Sequence, residues 1–285
     1  MIDTVQLIEC PRDAMQGWPQ LIPTDKKIDY LNALLAVGFD TIDFGSFVSP
    51  KAIPQMADTK EVLKGLQLQH TKTKLLAIVA NVRGAEEAVG FEEISYLGFP
   101  FSISETFQRR NANSSIEESL GRVDAIQNLC LQHKKTLVIY LSMGFGNPYG
   151  DPYNEEILLQ WADEMIGRGI TIVSLADTVG IATPEQISFA LQTLIPRSPQ
   201  TTFGVHLHST PQNWKEKLGA AVNSGCKRID GALMGIGGCP MAGNDLVGNM
   251  NTEWIIAYLE EHNQGLELNK AALEKAVHLA AAMFV

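Results

Sequence analysis

Cysteine is scarce in this sequence: four residues in 285, at positions 10, 130, 226 and 239, with no Cys-x-x-Cys pair. That spacing supports neither a disulfide framework nor a dithiol redox motif, and it fits a reducing, cytoplasmic compartment. Basic residues are outnumbered, 22 Lys and Arg against 32 Asp and Glu, for a net charge of −10. No basic stripe marks a nucleic-acid binder, although an acidic protein can still build a locally positive site for an anionic small molecule. Long apolar runs are also missing. The best of them, LLAIVANV (75–82), falls far short of a membrane span, and MIDTVQLIEC has neither the basic region nor the apolar core of a signal peptide. No low-complexity stretch divides the chain, so one catalytic domain over 1–285 is expected, and 45% hydrophobic residues supply a large core.

What is present is a rhythm. Short apolar runs recur at 4–9, 40–44, 74–80, 93–99, 136–142, 172–176, 203–208 and 228–233. They are rich in Val, Ile and Leu, as strands buried on both faces of a parallel sheet must be. Helical signals lie between them. Ile28, Leu31, Leu34 and Leu35 repeat at helical spacing before Gly38. Ser115 with Glu118 makes a capping box, and Asn154 opens a helix that stops near Gly167 and Gly169. Thr183–Pro184 places proline at the first helical position behind an N-cap, and Thr210–Pro211 predicts the same again. Eight such units predict a (β/α)8 TIM barrel. The competing doubly wound sheet would want a glycine-rich phosphate turn after the first strand, and CPRDAMQG (10–17) is not one.

In a barrel the chemistry gathers at the carboxyl ends of the strands, and the polar residues collect there: Glu9, Arg12 and Asp13, then Asp43 and Ser46, Asn81, Ser142, Asp177, and the pair His206 and His208. The eighth unit adds the glycine-rich loop 235–249, with Cys239 and Asn249. Only six histidines occur in the chain, and residues two apart on a strand face the same way, so His206 and His208 face the interior while Leu207 faces a helix. Two inward imidazoles repel when both are protonated, whereas neutral imidazole binds a cation well. With Asp13 and the Asn249 amide the donor set is nitrogen and oxygen without thiolate, which predicts Mg²⁺ or Mn²⁺ with open positions for substrate. The bland alternative is a pair of core histidines satisfied by hydrogen bonds.

The stretches IECPRDAMQ (8–16), SFVSPKAIPQMAD (46–58), NSSIEES (113–119), SLADTVGIATP (174–184), VHLH (205–208) and GIGGCPMA (235–242) resemble, in order, the motifs of the 3-hydroxy-3-methylglutaryl-CoA (HMG-CoA) lyase family. The resemblance spans essentially the whole chain. It implies cleavage of an acyl-CoA, HMG-CoA, to acetyl-CoA and acetoacetate, a retro-aldol reaction assisted by a divalent metal, in a homodimer. By the same resemblance Asp13, His206, His208 and Asn249 are the metal ligands, and Asp13 and His206 also join the catalytic group. Arg12 stabilises charge developing on the thioester oxygen, and Cys239 delivers the proton to the enolate carbon. Glu9, Asp43 and Asp177 support them, Glu9 and Asp177 by orienting Arg12 and the histidine network.

The chain departs from the family pattern at several positions. Asp43 stands in place of Glu, Ser209 in place of the Asp that commonly follows the histidine pair, Ala14 in place of Gly, and Asn147 in place of a cysteine. These put the acyl-CoA identity in question more than the reaction class. The alternatives are a sister synthase condensing acetyl-CoA with a 2-oxo acid, an aldolase of the same superfamily, and a non-catalytic barrel that binds a metal or metabolite. Lys51, Arg83, Arg109 and Arg110 are candidates for the CoA phosphates by position and charge.

Overall fold

The computed structural model describes residues 5–238 and 247–285. Eight strands form one closed, all-parallel ring: β1 (Gln6–Glu9), β2 (Thr41–Ser46), β3 (Lys74–Ile78), β4 (Ile94–Ser102), β5 (Thr136–Ser142), β6 (Ile172–Ala176), β7 (Thr202–His206) and β8 (Arg228–Gly231). The ring closes where β1 pairs with β8, with Gln6 opposite Arg228 and Ile8 opposite Asp230. Helices follow every strand, giving the expected (β/α)8 barrel. No helix among the described residues is long and apolar enough to cross a membrane.

Local chemistry sets most of the helix boundaries. Ser115 Oγ accepts the Glu118 N–H while the Glu118 carboxylate accepts the Ser115 N–H, which starts helix Ile116–Gln132. Thr183 caps Pro184–Arg197 in the same reciprocal way with Gln186. Asn154 caps Glu155–Gly167, and Gly38 closes Thr24–Val37 in the left-handed region. Thr210–Pro211 does not start a helix. Asn213 Oδ1 accepts the Thr210 N–H at 2.8 Å, holding a turn, and the helix Trp214–Asn223 begins three residues later than the sequence predicts.

The barrel has two interiors. One lies between sheet and helices and contains Leu7, Leu31, Leu34, Val123, Ile126 and Leu207 among many others. The other fills the barrel itself and is divided by chemistry. On the β3 and β5 side it is Leu76, Ile78, Val138 and Tyr140. The β7 and β8 strands bring His206, Arg228 and Asp230, of which Arg228 and Asp230 are almost fully buried. Polar side chains therefore sit at the seam where the ring closes, beside the start of β1.

Candidate active site

Strand alternation places the two histidines as expected. His206 ends β7, and His208 lies just beyond it, bridged to Asn249. Both line a cavity of about 150 Å³ at the carboxyl end of the barrel, while Leu207 packs into the sheet–helix core. Asp13 arrives from the short helix Pro11–Gln16, which β1 feeds directly. Donor atoms of Asp13, His206 and His208 all lie within 4.8 Å of one another.

Each donor is oriented by a second group. His208 Nδ1 lies 2.9 Å from the Val247 carbonyl oxygen, which can only accept, so Nδ1 carries the proton and Nε2 keeps its lone pair. His206 Nδ1 faces Asp230 Oδ2 at 3.2 Å, which likewise frees Nε2. The Asn249 amide nitrogen donates to Asp13 Oδ2 at 2.7 Å and to the Ile236 carbonyl at 2.9 Å. Its amide oxygen is buried and has no partner among the described residues. Such an orphaned acceptor costs stability unless something fills it, and a cation would.

Gly237 makes this closeness attainable. A Cβ there would lie 2.6 Å from Asn249 Nδ2 and 2.9 Å from the Asp13 carbonyl oxygen, and its φ is +102°. The glycine of this loop serves close packing against the site.

Burial and neighbouring charges set the protonation of these groups. Burial, together with repulsion from His206, pulls His208 down to about 4, so its imidazole is neutral at physiological pH. Burial works to lower His206, but the hydrogen bond and charge of Asp230 prevail and raise it. Asp13 is held below the usual carboxylate range because Arg12, His206 and the Asn249 amide outweigh its burial. Two imidazoles, a carboxylate and a free amide oxygen suit an oxygen-preferring divalent ion with open positions.

Arg12 stands beside this cluster. Its Nε lies 3.0 Å from Asp43 Oδ2, its Nη2 also reaches Asp43, and its Nη1 donates to Asp13 Oδ1 at 3.0 Å. Of the five guanidinium N–H groups, three are engaged in this way, and the other two can donate into the cavity that Arg12 lines. Burial raises Asp43 to about 6 against the pull of Arg12, which leaves it ionised at neutral pH. Val48, Ile53, Ile78, Pro100 and Phe107 give the cavity its apolar wall.

Two supporting residues are not where the resemblance implies. Glu9 turns away from Arg12 and accepts from the Leu233 N–H at 2.8 Å and Thr252 Oγ1 at 2.6 Å. Strand alternation points it outward, between Ile8 and Cys10. Asp177 is tied to Lys217 Nζ at 2.7 Å and to the Ala182 N–H at 2.9 Å, so among the described residues its carboxylate bonds neither Arg12 nor the imidazoles. Its link to the pair is indirect, since Lys217 Nζ also donates to the His208 carbonyl at 2.9 Å. Cys239 lies outside the described residues.

Among the departures, Ala14 is helical and needs no left-handed backbone. Asn147 orders its own loop, taking the Tyr149 and Asp151 N–H groups on its side-chain oxygen. Ser209 Oγ is buried without a partner among the described residues. Lys51, Arg83, Arg109 and Arg110 are all exposed. Arg109 pairs with Glu105, and Arg110 lies over the Tyr149 ring.

Sequence reasoning missed three groups. Gln16 donates to Asp13 Oδ1 at 2.6 Å. Asp230 was legible as an inward position on the last strand, and Lys217 has no local signal at all.

Comparison with known proteins gives the family and agrees with the fold. The chain is 33% identical over 271 residues to the cytoplasmic 3-hydroxy-3-methylglutaryl-CoA lyase of Rattus norvegicus, covering 93% of this chain and 78% of that protein. It is 35% identical over 253 residues to a hydroxymethylglutaryl-CoA lyase of Bacillus subtilis, covering 88% and 83%. A solved HMG-CoA lyase from Acinetobacter baumannii, in complex with coenzyme A and 3-methylmalate, superposes with a TM-score of 0.91 at 31% identity, over 100% of this chain and 92% of that one. The lyase from Pseudomonas aeruginosa gives 0.90 at 30% identity, over 98% and 93%. The HMGL-like family profile matches residues 5–280, and on that match and these identities the chain belongs to the HMGL-like family.

Proposed function

We propose that this chain is a divalent-metal-dependent lyase that cleaves HMG-CoA, or a close 3-hydroxyacyl-CoA, to acetyl-CoA and acetoacetate. One observation carries the reading: Asp13, His206 and His208 converge within 4.8 Å, with the orphaned Asn249 amide oxygen beside them and Arg12 at their edge.

A Mg²⁺ or Mn²⁺ ion held by Asp13, His206, His208 and Asn249 would lower the pKa of a bound substrate hydroxyl and fix its orientation. Arg12 supplies a fixed positive charge where the thioester oxygen becomes an enolate, and it is preorganised by its clamp on Asp43. That charge is larger in the transition state than in the substrate, so Arg12 accelerates the step rather than only binding. Asp13 is deprotonated and hydrogen-bonded to Arg12, Gln16 and Asn249. These donors hold the carboxylate in place but make it a weak base, so any transfer of the hydroxyl proton to it depends on the lowered pKa of the bound hydroxyl. The apolar wall accommodates the methyl and methylene groups of a branched acyl chain while excluding water. Cys239 is assigned the proton delivered to the enolate carbon.

We place the enzyme in the cytoplasm, as the composition suggests, and assign it a homodimer, which sedimentation would check. The function is tested by incubating reduced, chelator-stripped protein with HMG-CoA and Mn²⁺ and following acetoacetate. Acetoacetate formation that stops on adding chelator is the expected result. Mn²⁺ binding without any product would leave a metal-binding barrel and overturn the assignment.

A further inference from the structure

A second set of three donors stands next to the first. Cys10 Sγ, a ring nitrogen of His206 and a carboxylate oxygen of Asp230 lie within 4.8 Å of one another. The topology explains why. Ile8 faces Asp230 across the β1–β8 seam, and His206 faces Asp230 from β7. Cys10, two residues after Ile8, returns to the same inward face. Cys10 and Asp230 are each 1% exposed. Asp230 uses Oδ2 on His206 Nδ1, while Oδ1 is buried with no partner among the described residues. Among the described residues the thiol makes one long contact, 4.0 Å to the Ile8 carbonyl. Burial first, and then the carboxylates of Asp230, Asp43, Asp13 and Glu9, hold the thiol protonated while no cation is bound, whereas a coordinating cation deprotonates a thiol outright.

We infer that Cys10, His206 and Asp230 form a separate site for a thiophilic divalent ion such as Zn²⁺, and that its occupation opposes the ion held by Asp13, His206 and His208. Thiolate, imidazole and carboxylate are all zinc ligands, and three of them leave one tetrahedral position open. Donors of one tetrahedral zinc stand roughly 3.5 Å apart, so a set lying within 4.8 Å contracts by about 1.3 Å at most, within the reach of side-chain rotation.

The opposition follows from proton placement. Zn²⁺ takes the Nδ1 lone pair, so the Nδ1 proton moves to Nε2, and His206 loses the lone pair it offered the first site. Starting from neutral His206, the S–H bond of Cys10 breaks, bonds from sulfur, nitrogen and carboxylate oxygen to zinc form, and one proton leaves to solvent for each ion bound. No oxidant or reductant is involved. The site rests on this geometry alone, whereas its effect on turnover rests on the function proposed above.

The test uses Co²⁺ as a spectroscopic probe on reduced, metal-free protein carrying His208→Ala and Cys239→Ser. These changes disable the first site and remove the loop thiol. A near-ultraviolet thiolate-to-cobalt band is expected, with release of one proton per Zn²⁺ in a parallel titration. Adding Cys10→Ser, a near-isosteric change checked by thermal melting, abolishes both. A band absent from the parent or surviving Cys10→Ser overturns the site. In otherwise wild-type protein with Mn²⁺ in excess, Cys10→Ser is expected to weaken Zn²⁺ inhibition by about tenfold or more, the usual scale for lost metal-site groups. Unchanged Zn²⁺ sensitivity overturns the opposition, even where the band establishes the site. Failure of the wild type to bind Mn²⁺ defeats the function proposed above and leaves the cobalt result standing.

Discussion

At the scale of single residues, Arg12 and Glu9 lie three positions apart and do opposite things, because strand alternation and the start of a helix send them to different places. Arg12 is buried yet paired with two carboxylates, and its clamp on Asp43 and Asp13 gives it a fixed charge at the cavity edge. Arg12→Gln is expected to lower kcat by about 10²–10³ or more, the usual cost of one preorganised donor, while calorimetric Mn²⁺ affinity stays within a few-fold. Arg12→Lys would not rescue it, since an ammonium cannot reproduce the two-pronged contact with Asp43. Glu9 instead is a buried carboxyl that burial raises to about 8. It is protonated in the folded chain up to that pH and ionised in the unfolded chain above 4.5. The folded state therefore binds more protons across this window, and stability is lost as pH rises through it. The upper limit is roughly 5 kcal/mol. Glu9→Gln cannot ionise, so its melting temperature should fall less than the wild type's between pH 6 and 9 by calorimetry. Equal falls would mean that Glu9 does not carry this proton.

At the scale of elements, what could be read in advance was whatever is decided locally. The capping box at Ser115 and Glu118 and the Thr183–Pro184 start lie within four residues of chain, so the sequence displays the whole interaction. The eight apolar runs displayed the barrel for the same reason, since burial on both faces leaves a mark on every strand. Thr210–Pro211 misled because the same dipeptide opens a turn when Asn213 bonds back to it. Lys217 was invisible because its partners Asp177 and Gly180 lie 40 and 37 residues away. Asp230 needed the closed seam to gain meaning. The loop after β8 joins the two kinds of case: its glycines were plain, but their purpose was not. Gly237→Ala combines a left-handed backbone with a clash against Asn249 and Asp13. It should cost about 1–3 kcal/mol of stability and weaken Mn²⁺ binding by about tenfold or more. Gly121, inside helix Ile116–Gln132 with open space where a Cβ would go, is the contrast. Gly121→Ala should add about 0.5–1 kcal/mol and leave Mn²⁺ affinity unchanged.

At the scale of the whole molecule, the proposed ligands come from opposite ends of the chain. Asp13 follows β1, His206 and His208 close β7, and Asn249 follows β8. The ring itself closes between β1 and β8. An ion at this place therefore ties the first strand to the last two, and the unfolded chain, with Asp13 so far along the sequence from the other donors, cannot reproduce that set. Binding confined to the folded state stabilises it by about 2.7 kcal/mol at a hundredfold excess over Kd. For a chain of this size that raises Tm by roughly 5 °C. Saturating Mn²⁺ should produce such a shift by scanning calorimetry at pH 7, and chelator should reverse it. His208→Ala should melt at the same temperature with and without Mn²⁺, because it lacks one of the two imidazoles. A shift of full size in that variant would place the ion elsewhere in the barrel and remove the histidine pair from the site.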